Sequence, residues 1–118
     1  MSKLEEIQLE KTNIEREKDE IEALQRNMNQ TAENYEEYFF YQKQLFSDLQ
    51  EDFAQSQTGM LYQDMSEEIN WQNRGIQDFL EEQQQEIKKQ TRELEDKQEE
   101  LYWQELKSKE EMEDAHEY

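Results

Sequence analysis

The chain has 118 residues, enough for one small domain, and its 32 acids against 13 bases give a formal charge of −19. Such a balance repels phosphates and anionic headgroups and so argues against nucleic acid and membrane surfaces as ligands. The lack of cysteine removes any disulfide framework or thiol chemistry.

Only 32% of residues are hydrophobic and 38% are charged, a balance near the disordered class. The absence of proline, the two glycines and the 11% aromatics point instead to long helices. The start, "MSKLEEIQLE", has no apolar signal core, and no stretch approaches a membrane span, so a cytoplasmic location is expected. Ser2 and Glu5 have the spacing of a capping box.

From there a strict seven-residue repeat runs through Ile7, Ile14, Ile21, Met28, Tyr35, Gln42 and Leu49. Its companion series is Leu4, Lys11, Lys18, Gln25, Ala32, Phe39, Phe46 and Phe53. Sustained apolar residues at this period predict a helix paired in a coiled coil, over about residues 3–54. Residues 54–60, "AQSQTGM", follow as the one stretch of small polar residues with a glycine, and they predict a turn at 55–60. Gly59 suits the left-handed position of a helix-ending turn, and Thr58 or Ser56 suits the cap of the next helix. A second helix is predicted over about 61–113, with a frayed tail at 114–118. Its heptad series are Asn73, Leu80, Ile87, Leu94 and Leu101, and Tyr62, Ile69, Ile76, Gln83, Gln90 and Lys97.

The fold class that follows is all-α: one antiparallel two-helix hairpin over 1–118, with a parallel dimer of bent chains as the competing arrangement. Facing residues of a hairpin share one index sum, and 115 pairs Ile14 with Leu101, Ile21 with Leu94, Met28 with Ile87 and Tyr35 with Leu80. The same sum pairs Phe39 with Ile76, Phe46 with Ile69 and Phe53 with Tyr62. Registers one heptad away match equally well, but 115 centres the turn on the breaker residues. The expected hairpin core is therefore Ile7, Ile14, Ile21, Met28, Tyr35, Phe39, Phe46, Phe53, Ile69, Ile76, Leu80, Ile87, Leu94 and Leu101. Near the termini the seam reads as weak, because Lys11, Lys18 and Gln25 face Gln104, Lys97 and Gln90. Lys18 opposite Lys97 is expected to splay into solvent.

Residues 35–46, "YEEYFFYQKQLF", carry more ring surface than one helix face can hide. The e-type flank of both helices is polar (Glu22, Glu36, Lys43, Asn70, Gln77). The g-type flank holds Leu24, Tyr38, Leu45, Met65 and Phe79, and Tyr41 and Trp103 lie at c-type positions on the same side. In an antiparallel pair the g positions of both helices share an edge, so the hairpin has one polar and one apolar edge. A stripe wider than the seam implies a third element packing there. Phe40, Trp71 and Tyr102 read as ordinary exposed aromatics. Residues 28–82 contain only Lys43 and Arg74 as bases, so a partner is expected to bring Lys or Arg around an apolar patch.

No catalytic set is legible, and neither a cofactor nor a metal is expected. Glu113 and His116 have Glu-x-x-His spacing, but a di-iron site needs a second such pair. Acidic runs such as "KDEIEA" and "EDKQEE" read as solvated helix faces. Gly75 inside the second helix costs about 1 kcal/mol relative to alanine; it marks either close approach by a partner or nothing.

This pattern resembles the small helical proteins of Gram-positive type VII secretion. More narrowly, segments such as "YQKQLFSDLQEDF" and "INWQNRGIQDFLEEQQQEIKKQ" are similar to the second type of LXG-associated α-helical protein. The resemblance implies a non-enzymatic targeting factor or chaperone. Such a protein binds the helical N-terminal LXG domain of a toxin, with a companion small helical protein, in a pre-secretion complex. It also implies a protein recruited to the membrane secretion machinery or exported with the toxin. Two features depart from the WXG100 pattern: Trp71 is followed by Gln72 and Asn73 rather than x-Gly, and no tyrosine has an acid four residues on. The Phe-x-x-x-Asp signal of the companion family is absent as well, since Phe53 leads to Gln57 and Phe79 to Gln83. The companion would then carry the export address. The alternatives are a self-assembling structural coiled coil, in which a homo-oligomer closes the apolar edges, and a general helical adaptor or holdase. Prefoldin-like holdases place strands between their helices, and 54–64 shows no strand pattern.

Overall fold

A chain of Glu, Gln, Lys and Leu without proline has nothing to interrupt a helix but the small polar stretch near its middle. The computed structural model describes residues 2–116, and of His116 only the backbone. Helix α1 spans Lys3–Asp52 and α2 spans Gln57–His116, so the fold is the all-α antiparallel hairpin that the heptads predict. Ser2 Oγ accepts the Glu5 amide at 3.2 Å, satisfying one of the free donors at the start of α1. Glu5 and Glu6 place negative charge against the positive end of the helix dipole.

The connection is shorter and earlier than predicted, at residues 53–56 rather than 55–60. Ser56 sets this boundary. Its Oγ accepts the Gly59 amide at 3.2 Å and donates to the Phe53 carbonyl at 2.9 Å, so α2 restarts at Gln57 rather than near 61. Gly59 does not take the left-handed conformation expected of it, since no described glycine has positive φ. It sits buried in the first turn of α2, where a Cβ would overlap the Phe53 carbonyl oxygen and lie 2.7 Å from the carbonyl carbon. The glycine is needed for close backbone approach, not for φ. At the other end α2 continues through residues 114–116, expected to be frayed; residues 117 and 118 lie outside the described residues.

The hairpin comprises two compact units, one formed by residues 1–25 with 85–118 and the other by 26–84. In the first unit Ile7, Ile14, Leu94 and Leu101 form a buried cluster with Ile21 packed against it, and Ile87 is buried as well. Each buried aliphatic of this size contributes about 1.5–3 kcal/mol. The seam predicted to be weak is thus the one that buries apolar side chains, and the lysines explain how. Lys11 does not rest on Gln104 but swings to the polar edge and pairs with Glu105, which also accepts Gln8 Nε2 at 3.1 Å and Lys109 Nζ at 3.2 Å. Lys18, expected to splay into solvent, is half-buried instead, and its ammonium donates to Gln98 Oε1 at 3.1 Å. Half-buried lysines whose heads reach the flank therefore border a seam that heptad letters mark as polar. Gln8 and Lys11 straddle the residue that an index sum of 115 sets opposite Glu105, whereas a register one heptad away would bring up residue 3 or 17.

The second unit buries no hydrophobic side chain among the described residues; only Gly59 and Asn73 are buried there. Met28, Tyr35, Phe39, Phe46, Ile69 and Leu80 line its seam half-buried. Phe53 and Ile76, expected in the core, are instead 42% and 39% exposed. Phe53 has left the helix for the turn, where its ring meets that of Tyr62 at 5.7 Å between centroids. Ile76 neighbours the polar layer at Asn73, whose Oδ1 has no hydrogen-bond partner among the described residues. A lone buried amide in a seam specifies register at a cost in stability.

Candidate partner-binding edge

Heptad positions on an unbroken helix fix which side chains leave the seam on each side. On α1, Tyr38 and Leu45 are g-type and Tyr41 is c-type; on α2, Met65 and Phe79 are g-type. All five belong to the second unit and all are exposed, Tyr38 at 60% and Tyr41 at 63%. Leu61, at a c-type position, is exposed in the same way and extends this row. Heptad lettering from the seam could have found it, but the predicted helix start at 61 obscured it. Leu24 and Trp103, the other two predicted partner-binding residues, are exposed too but belong to the first unit. The continuous apolar edge lies within the second unit.

Its rings have few neighbours of their own. Phe40 and Tyr41 meet edge to face at 6.0 Å, a contact between adjacent residues that shields neither from water. Partial burial, with Tyr38 nearby, raises the Tyr35 phenol above its ordinary value of 10.0, so its hydroxyl stays neutral throughout the physiological range. Gly75 has nothing within 4 Å of the place a Cβ would take. It opens a shallow groove beside Trp71, Arg74, Ile76 and Asp78. The unit carries twelve acids, with Arg26, Lys43 and Arg74 as its bases.

The polar groups of this edge are carboxylates, amides, phenols and hydroxyls on solvated helix faces. No cluster of three or more His, Cys, Asp or Glu able to hold a metal occurs among the described residues. The Glu113–His116 pair lies partly outside them, because the His116 side chain is not described. Also among the described residues, no helix is long and apolar enough to cross a membrane.

The family described as "Protein of unknown function (DUF3958)" matches residues 2–110, and the chain belongs to that family. No curated protein matches the chain, and no solved structure does.

Proposed function

We propose that this DUF3958 protein is a non-enzymatic targeting factor or chaperone. It binds the helical N-terminal LXG domain of a type VII secretion toxin, alongside a companion small helical protein, in a pre-secretion complex. One observation carries the binding role: a helical unit with no buried hydrophobic side chain displays Tyr38, Tyr41, Leu45, Leu61, Met65 and Phe79 along a single edge. A partner helix laid on that edge would supply the apolar cover that two helices lack. The choice of an LXG domain as that partner rests on the resemblance of "YQKQLFSDLQEDF" and "INWQNRGIQDFLEEQQQEIKKQ". On this reading the protein acts first in the cytoplasm and then reaches the secretion machinery as part of the complex.

Co-expression with any LXG domain found in a neighbouring gene, followed by gel filtration, tests the proposal. A stable complex is expected, and Tyr38→Glu or Leu45→Glu should abolish it with helicity unchanged by circular dichroism. Failure of every neighbouring LXG domain to bind, with and without the companion, would sink the proposed partner.

A further inference from the structure

We infer that the apolar edge of the second unit is built for a helix of a different protein, one whose apolar stripe is flanked by lysine or arginine, and not for a second copy of this chain. The inference rests on the proposed function only in treating this edge as an interface.

The argument is where the charges lie. In the second unit, the g- and c-type positions hold the six apolar side chains together with Asp48, Asp52, Glu68 and Glu82, and no base. The three bases, Arg26, Lys43 and Arg74, all fall at b- or e-type positions, on the opposite flank. Beyond the apolar row the f-type positions add Glu37, Glu51, Asp64 and Asp78. The four acids at g- and c-type positions are exposed. One flank is therefore nearly balanced, and the other is apolar with carboxylates on its margin. Asymmetry of this kind selects a partner by sign.

A second copy would set these carboxylates against their own kind, whichever way it lay, because the edge offers no base to receive them. A helix with lysine or arginine beside its apolar stripe would meet both features at once. In the register of the hairpin the apolar row runs from the level of residue 54 (Leu61) to that of residue 36 (Phe79). This is about 27 Å, the length of a helix of about 18 residues. Gly75, also c-type, falls within the row at the level of Tyr38 and Tyr41, where its open space leaves room for a side chain of the incoming helix.

The test uses the full chain and two synthetic helices of about 18 residues, each with a leucine stripe, one flanked by lysines and one by glutamates. Titration calorimetry should show saturable binding of the lysine helix and none of the glutamate helix. Raising salt from low to moderate strength should weaken binding on the order of tenfold. Tyr38→Glu should weaken the lysine helix at least about tenfold even though it makes the chain more acidic. Equal or tighter binding would mean that bulk charge alone attracts the peptide, and would overturn the inference. Asp48→Lys with Glu68→Lys, which leaves the apolar row untouched, should weaken the lysine helix and admit the glutamate helix. No change in either would also overturn it. Sedimentation of the chain alone should show a monomer, and a homo-oligomer that Tyr38→Glu dissolves would assign the edge to a second copy instead. If no LXG domain binds but the lysine helix seats here, the proposed partner falls and the edge chemistry stands. If an LXG domain binds undisturbed by the two lysine substitutions, the reverse holds.

Discussion

The two units are cut from the same pair of helices, yet they treat apolar surface in opposite ways. The first has ten bases among its charges and few rings, and it buries Ile7, Ile14, Ile87, Leu94 and Leu101. The second holds most of the aromatic residues and buries none of them. Hydrophobic content alone does not decide burial between two helices. Isoleucine and leucine fill the seam of the first unit, which half-buried Lys11 and Lys18 flank. In the second unit Tyr35, Phe39 and Phe46 stay half-buried, and so do Ile69 and Leu80 beside them. The unit richer in apolar atoms is accordingly the one that needs another surface.

The sharpest way to break this comparison is truncation in each seam. Leu101→Ala should cost about 2–4 kcal/mol in urea unfolding, since it leaves a cavity in a closed cluster. Ile76→Ala, at a site already 39% exposed, should cost about 1 kcal/mol or less. Equal costs would mean that the second seam is as closed as the first.

The glycines offer a second contrast. Gly59→Ala forces the Phe53 backbone to move and should destabilise by about 1–3 kcal/mol. Gly75→Ala meets open space and should stabilise by up to about 1 kcal/mol through helix propensity. If a partner fills the space above Gly75, the same substitution weakens its binding while stabilising the free chain. Ser56→Ala should cost about 1 kcal/mol, because it removes the cap that starts α2.

Acid titration reads the polar edge of the first unit. Hydrogen bonds from Lys11 and then Lys109 hold the Glu105 carboxyl below the usual glutamate range. A carboxyl lowered in the folded state contributes stability above its unfolded value and loses it as pH falls through the lowered one. The stability gap between the parent chain and Glu105→Gln should therefore be present at neutral pH and shrink below about pH 4. A gap that does not change with pH would mean that Glu105 acts by packing alone.

The smallest effect on stability is expected at the apolar edge. Leu45→Glu should change unfolding free energy by no more than about 0.5 kcal/mol, because the side chain is exposed in the free protein. A larger loss would place Leu45 in the internal core and remove it from the interface.

Much of this was legible in the residues alone. The repeat Ile7, Ile14, Ile21 and its counterpart Leu94, Leu101 predicts two helices and their facing sides, because a seven-residue period is a property of one helix against another. The exposed edge at Tyr38, Leu45 and Phe79 follows from the same lettering. Glu105 was not legible. Its e-type position marks it as one more solvated acid, and only the path of the Lys11 side chain makes it the centre of a part-buried pair. Phe53 leaves its heptad place for a related reason: the repeat continues through it, but α1 ends at Asp52.

What the sequence determined by itself was periodicity: two helices, a turn in the small polar stretch between them, and a polar and an apolar flank. Those are local properties, set by spacing along one chain. Which seam would close was decided only in three dimensions. Closure depends on whether side chains of a given width fit between backbones at a given separation, and on where flexible lysines find carboxylates. Neither quantity has a period, so neither could be read along the chain.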